Sequence, residues 1–221
     1  MDGIALVSGG KDSVFALIKA INAGINIKKI ITVIPPKDDM MFHHPNVDLV
    51  ELQAKALKIQ WIEVEYDGTQ NYTEFLREKI EKHTEKYLVV GAIKSNYQRK
   101  IINESCKSID IEIYMPSWGK DEYVLMKEYL SYGLKIIITS VSAYGLDRRW
   151  LGKSLDWEAL EDLKSLSEKY GVNITGEGGE YETLVVDAPD FLEKIKIIEA
   201  EKYWFQDHGL YIIKNAKLEK K

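Results

Sequence analysis

Leu6-Val7-Ser8-Gly9-Gly10-Lys11-Asp12-Ser13 decides how this chain is read. Ile4 to Val7 form an apolar run of strand length that stops at Ser8-Gly9-Gly10. Val14, Leu17, Ile18 and Ile21 then recur at helical spacing, and Gly24 stands where a helix-ending glycine belongs. A strand, a glycine turn and a helix start can aim several backbone N–H groups, and the positive helix end, at an anion. Gly9 and Gly10 would let phosphate oxygens approach the main chain, and Ser8 and Ser13 add hydroxyl donors. Lys11 adds a point charge, and Asp12 is a candidate Mg²⁺ ligand beside the phosphates. A Walker P-loop is excluded, because Ala5 occupies its first glycine position and Asp12 follows the lysine. A dinucleotide G-x-G-x-x-G is absent too. The plainer reading is a βα turn that uses glycine for positive φ, which is common, whereas Ser-Gly-Gly-x-Asp-Ser after a first strand is much rarer.

The chain has 221 residues, room for one large domain or two small ones, and 45% are hydrophobic, enough for a sizeable core. Its apolar runs are strand-sized, and Met1-Asp2-Gly3 lacks a basic leader region, so a cytoplasmic chain with no membrane span is expected. A net charge of −5 argues against broad capture of nucleic acid. Cys106 is the single cysteine and falls at helical spacing with Ile102 and Ile109, which fits a core thiol better than a nucleophile. His43, His44, His83 and His208 form no recognised metal-ligand spacing.

Strands alternate with helices along the first half, the pattern of a parallel sheet covered on both faces. A strand from Lys29 to Ile34 ends at Pro35-Pro36, and residues 37–45 read as a loop carrying Met40-Met41-Phe42-His43-His44. Those histidines suit packing or substrate contact better than metal binding. A helix from Val47, a strand from Gln60 to Val64 and a helix through Lys82 opened by Asn71 and Glu74 follow. The strand Tyr87 to Gly91 then delivers Gly91, Ser95, Tyr97 and Gln98, with Arg99 beyond. Small and polar residues at a strand's carboxyl end sit where open α/β sheets bind ligands. An ordinary helix entry capped by Ser95 is the plainer alternative.

From Ile109 the character changes. A strand from Ile111 to Tyr114, a helix capped by Asp121 with Tyr123, Met126 and Leu130 on one side, and a central strand from Ile136 to Val141 are expected. A helix capped by Asp156 and ended by Gly171 should turn Leu160, Leu163, Leu166 and Tyr170 inward. Thr175-Gly176-Glu177-Gly178-Gly179-Glu180-Tyr181-Glu182-Thr183 comes next, with a strand expected on each side. Three acids among three glycines crowd like charge, which a chain tolerates when the acids meet a cation, a metal or a proton to be moved. A hairpin from Ile195 to Glu199 and Leu210 to Ile213, with a frayed 215–221 tail, completes the reading.

Five stretches taken together resemble the diphthine–ammonia ligases in their stand-alone archaeal form, a family of PP-loop ATP pyrophosphatases that finishes diphthamide. They are Ser8 to Ser13, Gly91-Ala92-Ile93-x-Ser95-x-Tyr97-Gln98, Pro116-x-Trp118-Gly119-Lys120, Gly145-Leu146-Asp147 with Trp150-Leu151-Gly152, and Gly176 to Thr183. The resemblance implies a Rossmann-like α/β fold of the adenine nucleotide alpha hydrolase type, its parallel sheet covered on both faces. Residues 1–110 would form the PP-loop ATP-binding domain and 111–221 a smaller α/β substrate domain. It also implies ATP-dependent amidation of diphthine on translation elongation factor 2: the carboxylate attacks the α-phosphate, pyrophosphate leaves, and ammonium displaces AMP. ATP and Mg²⁺ would be held by Ser8, Gly9, Gly10, Lys11, Asp12, Ser13, Gly91, Ser95, Tyr97 and Gln98, with Asp12 on the metal. Lys11, Asp12, Glu177, Glu180 and Glu182 would carry the chemistry, Glu180 being the expected base for ammonium. Trp118, Tyr144, Trp150, Gly178, Gly179 and Tyr181 would meet the substrate, aromatic faces suiting its trimethylammonium group. Eukaryotic relatives are expected to carry additional domains. Oligomeric state stays open, a homodimer included.

Two other functions compete. A PP-loop enzyme acting on RNA would need a cysteine pair for sulfur transfer, or a more basic surface for lysidine-type chemistry. A nucleotide-sensing module would keep the first loop and have no use for the acidic one.

Overall fold

The computed structural model describes residues 1–34 and 46–221. The Met40 to His44 stretch therefore lies outside the described residues. The first half lays down β1 (Asp2–Leu6), α1 (Lys11–Asn22), β2 (Asn26–Ile34), α2 (Val50–Leu57), β3 (Gln60–Glu65), α3 (Tyr72–Ile80), β4 (Tyr87–Val89), α4 (Asn96–Cys106) and β5 (Glu112–Tyr114). These five strands form one parallel sheet in the order β3-β2-β1-β4-β5. The chain builds outward from β1 on one side and then crosses to β4 on the other. The crevice beyond the carboxyl ends of β1 and β4 is thus the switch point where such sheets bind ligands.

Period-two alternation assigns the two faces of this sheet. Ile4, Ile31 and Leu88 meet Phe75, Leu76 and Ile80 of α3 and Ile102 and Cys106 of α4. Cys106 is buried as expected, and burial pushes its thiol up to about 11. Ala5, Val7, Ile30 and Val89 face the other way, towards Val14, Phe15, Leu17 and Ile18 of α1.

The second half adds α5 (Glu122–Tyr132), β6 (Lys135–Val141), α6 (Trp157–Tyr170), β7 (Tyr181–Asp187), β8 (Glu193–Trp204) and β9 (Gly209–Lys220). Its strands form an antiparallel sheet in the order β7-β6-β9-β8. The apolar residues of α1 continue into Met126, Tyr129, Ile136, Ile138, Leu160 and Val185 without a break, so both halves share one core.

Local chemistry opens most of the helices. The side chains of Asn71, Ser95, Asp121 and Asp156 accept N–H bonds from the first turns of α3, α4, α5 and α6. Gly24 at φ +84° follows α1, and Gly171 at φ +74° ends α6.

Four expectations are corrected. The tail is not frayed: β9 runs to Lys220 and pairs with Glu193, because the hairpin continues with β8 through residue 217 and beyond. The face that α5 buries is Leu125, Met126 and Tyr129, about one residue round from the expected stripe. Tyr170 stays 39% exposed, set edge-on to Tyr144. A strand follows the acidic loop, but helix α6 precedes it.

Candidate active site

The glycine turn after β1 is held from three directions. Val7 N–H donates to Ile31 O, Val185 N–H of β7 donates to Gly9 O, and the buried Gln53 amide of α2 bridges Gly9 O and Val185 O at 3.0 and 2.8 Å. Gly9 takes φ +88°, and a Cβ there would lie 3.1 Å from Val50 Cγ2. Ser13 Oγ donates to Gly10 O and accepts from Ser8 N–H, so these two serines close the turn on itself.

Helix α1 begins differently from α3 to α6. Gly10 occupies its N-cap position and provides no side-chain cap. A helix start left uncapped at the mouth of a switch-point crevice keeps donors and positive potential for an incoming anion. One of these donors is already used, Lys11 N–H to Thr183 Oγ1 at 3.1 Å, and Thr183 comes from β7. Gly91, at the end of β4, lies against the first turn so closely that a Cβ would sit 2.5 Å from Ser13 N. It serves the site by letting two backbones touch.

Lys11 is buried, with its Nζ 2.9 Å from Asp12 Oδ2, bonded to Thr175 O, and 5.4 Å from the Tyr181 ring centre. Its ammonium thus joins the nucleotide turn to the acidic loop. Asp12 Oδ1 accepts from Tyr129 Oη at 2.7 Å, and the aspartate side chain remains 27% exposed. Burial first, then the charge of Asp12, pushes the Tyr129 hydroxyl well above the ordinary phenol range. It remains a donor at working pH.

The acidic loop is wrapped around Asn173, whose Oδ1 accepts from Thr175 N–H and from Thr175 Oγ1 at 2.8 and 2.7 Å. Its glutamates then diverge. Glu180 folds back on its own loop, accepting from Gly178 N–H at 2.9 Å and Asn173 N–H at 3.3 Å. Gly178 is needed there, since a Cβ would come within 2.8 Å of that carboxylate. Ser142 Oγ donates to Gly179 O and fixes the loop against the end of β6. Glu177 instead crosses to the first half and accepts the N–H groups of Ser95 and Lys94 at 3.1 and 3.4 Å. Burial raises its carboxyl above the ordinary 4.5, against the pull of those donors; Asp12 adds to the rise and Lys11 opposes it. Glu182 is half-buried on β7, paired in register with Ser140. After burial, the charges of Asp12, Glu180 and Glu182 raise the Tyr181 phenol, which shows how closely the acids gather.

The fold therefore brings Ser8 to Ser13, Gly91, Ser95 and Glu177 together, while Glu180 closes its own loop and Glu182 lies on β7 beside Thr183. The expected aromatic pocket divides. Trp150 and Tyr181 are core residues, and Lys153 and Lys11 already cover their rings at 4.6 and 5.4 Å. Trp118 is half-buried beneath the Arg99 guanidinium at 4.6 Å, and Tyr144 is 81% exposed. Tyr97 projects into solvent, and Gln98 engages Ser95 Oγ through its backbone. Tyr129, Gln53 and Asn173 join the site without a place in the quoted stretches, and Thr183, which ends the acidic one, gains its role only here. The Leu125-Met126-Tyr129 spacing was the available signal for Tyr129; the contacts of the others arise only on folding.

A family model for the diphthamide synthase N-terminal domain matches residues 1–113, and one for its C-terminal domain matches residues 121–218. The diphthine–ammonia ligases of Danio rerio and Homo sapiens are 35% and 32% identical to the chain, over 89% of it and over 86% and 83% of their own lengths. The chain belongs to the diphthamide synthase family. It is accordingly a ligase. The Schizosaccharomyces pombe diphthine–ammonia ligase is 30% identical, but the match spans only 37% of that longer protein. The uncovered share is thus large in the Schizosaccharomyces pombe relative and small in the vertebrate ones. Among solved structures, a predicted subunit of tRNA methyltransferase from Methanocaldococcus jannaschii aligns at 20% identity and a TM-score of 0.44, over 86% of this chain and 98% of that one.

The residues of this diphthamide synthase family site fit both expected ligands. The uncapped start of α1 suits a triphosphate. No group of three His, Cys, Asp or Glu side chains comes together as a metal cage among the described residues. A part-exposed aspartate at the turn is instead what Mg²⁺ uses when phosphate oxygens complete its shell. No helix among the described residues is long and apolar enough to cross a membrane.

Proposed function

We propose that this diphthamide synthase family member amidates diphthine on translation elongation factor 2 with ammonium, using ATP and releasing AMP and pyrophosphate. The observation that carries the reading is the meeting of two loops. The uncapped turn Ser8 to Ser13 from the first half faces Glu177, delivered from the second half on Lys94 and Ser95. On this reading residues 1–110 hold ATP and 111–221 supply the substrate contacts.

A carboxylate resists attack by ammonia until one of its oxygens becomes a good leaving group. The diphthine carboxylate attacks the α-phosphorus, the bond to the bridging oxygen breaks, and pyrophosphate departs. Backbone N–H groups at the start of α1 stabilise the charge that develops there. Asp12 would hold Mg²⁺ beside the phosphates, where the ion would supply further neutralisation of charge. Ammonium then gives a proton to a carboxylate, and the resulting ammonia attacks the acyl carbon with loss of AMP. Glu177 suits that proton transfer better than Glu180. Its carboxyl is raised and feels the charges of Asp12 and Lys11, whereas both oxygens of Glu180 hold the loop. Glu182 and Glu180 contribute negative potential that attracts ammonium. Tyr144 remains the exposed aromatic face for the trimethylammonium group, since a guanidinium already covers Trp118.

The test is a reconstitution. The protein, ATP, ammonium and diphthine-bearing elongation factor 2 should together convert the factor by the mass change of acid to amide. No mass change under any ammonium concentration would refute the assignment.

A further inference from the structure

We propose that Tyr129 is a positioning residue for Asp12, supplied to the nucleotide turn by the second half of the chain. The inference rests on the reading of Asp12 as the residue that faces Mg²⁺ and the phosphates. Asp12 stands in the first turn of α1, where its carboxylate would be free to rotate if nothing held it. Two contacts hold it, Lys11 Nζ on Oδ2 at 2.9 Å and Tyr129 Oη on Oδ1 at 2.7 Å. The lysine divides its ammonium between this carboxylate and Thr175 O. The tyrosine hydroxyl is the more directional of the two.

The environment of Tyr129 argues that the hydroxyl, and not only the ring, is required. The side chain is fully buried, with its ring edge-on to Phe15 at 4.7 Å. Phenylalanine would pack there as well and would avoid burying a polar oxygen, which costs free energy unless the group is bonded. The oxygen has been placed where Asp12 is. Its helix is also fixed along its length. Glu128 bonds Lys19 of α1 and Lys120, and Tyr132 Oη lies between Asn22 and Asp190. Tyr129 therefore presents its hydroxyl at one place relative to α1. The carboxylate keeps one orientation, with its exposed side left for the cation.

The experiment uses the full chain and compares wild type with Tyr129→Phe and with Tyr132→Phe. The second variant removes a comparable hydroxyl from the same helix, remote from Asp12. ATP binding is followed by calorimetry as Mg²⁺ is titrated, alongside thermal unfolding. Tyr129→Phe should need about tenfold more Mg²⁺ for half-maximal ATP binding, the scale of one charge-assisted hydrogen bond. Tyr132→Phe should titrate with wild type although it too loses thermal stability. With Mg²⁺, ammonium and diphthine-bearing factor saturating and ATP varied, Tyr129→Phe should lower kcat for AMP formation and leave the KM for ATP near wild type. Coincident Mg²⁺ titrations of Tyr129→Phe and wild type would overturn the inference and leave Asp12's role intact. Wild-type binding of ATP that ignores Mg²⁺ would overturn the reading of Asp12 and this inference together.

Discussion

Glu177 and Glu180 lie three residues apart in one glycine-rich loop and are put to different uses. Glu180 accepts two N–H groups of its own loop, so Glu180→Gln sets an amide NH₂ against a donor and should cost about 1–3 kcal/mol of stability, read by denaturant unfolding. Glu177→Gln should leave ATP binding in place and slow amide formation by about a hundredfold or more, measured in single turnovers. The pH dependence follows from the direction of the Glu177 shift. Its carboxyl sits above 4.5, so the rate should fall on acidification at a higher pH than for an ordinary glutamate, and this limb should vanish in Glu177→Gln. The same shift means that the folded protein holds the proton more tightly than the unfolded chain. Ionised Glu177 therefore costs stability at neutral pH, and the cost is relieved as pH falls through the folded value towards 4.5. Glu177→Gln should flatten stability against pH across that window. The sequence announces these acids as a group, through their crowding among glycines. Their separate roles depend on Lys94 and Ser95, some eighty residues away, and no local pattern carries that.

At the scale of elements, the site is a contact between backbones before it is a set of side chains. Gly91→Ala would drive a methyl into Ser13 N and Asp12 C, at 2.5 and 2.7 Å, which are backbone atoms that cannot turn aside. The variant should lose about 1–3 kcal/mol and bind ATP more weakly, because the start of α1 must move. Gln53→Leu leaves Gly9 O and Val185 O without the amide that joins them, and a loss of about 1–3 kcal/mol is expected in thermal unfolding. Element starts were legible wherever a short polar residue precedes an apolar period, as at Asn71, Ser95, Asp121 and Asp156. The end of β9 was not. Asn215 to Lys220 is polar enough to read as solvated chain, and its strand state comes from cross-strand pairing with Glu193 to Glu199.

For the whole molecule, the first half of the sequence showed its parallel sheet through alternating strands and helices, while the second half concealed an antiparallel sheet, because pairing partners such as β6 and β9 lie far apart in the chain. The consequence is a shared core. Phe15 and Ile18 pack in the same apolar body as Met126, Tyr129 and Val185, and the nucleotide turn is bonded to Val185 and Thr183. A chain cut after residue 120 should therefore fail to unfold cooperatively and fail to bind ATP, as judged by calorimetry. The central claim concerns which phosphorus is attacked. Amidation run with a heavy-oxygen label in the diphthine carboxylate should release pyrophosphate and place one labelled oxygen in AMP. Release of ADP and orthophosphate, or AMP without the label, would contradict it.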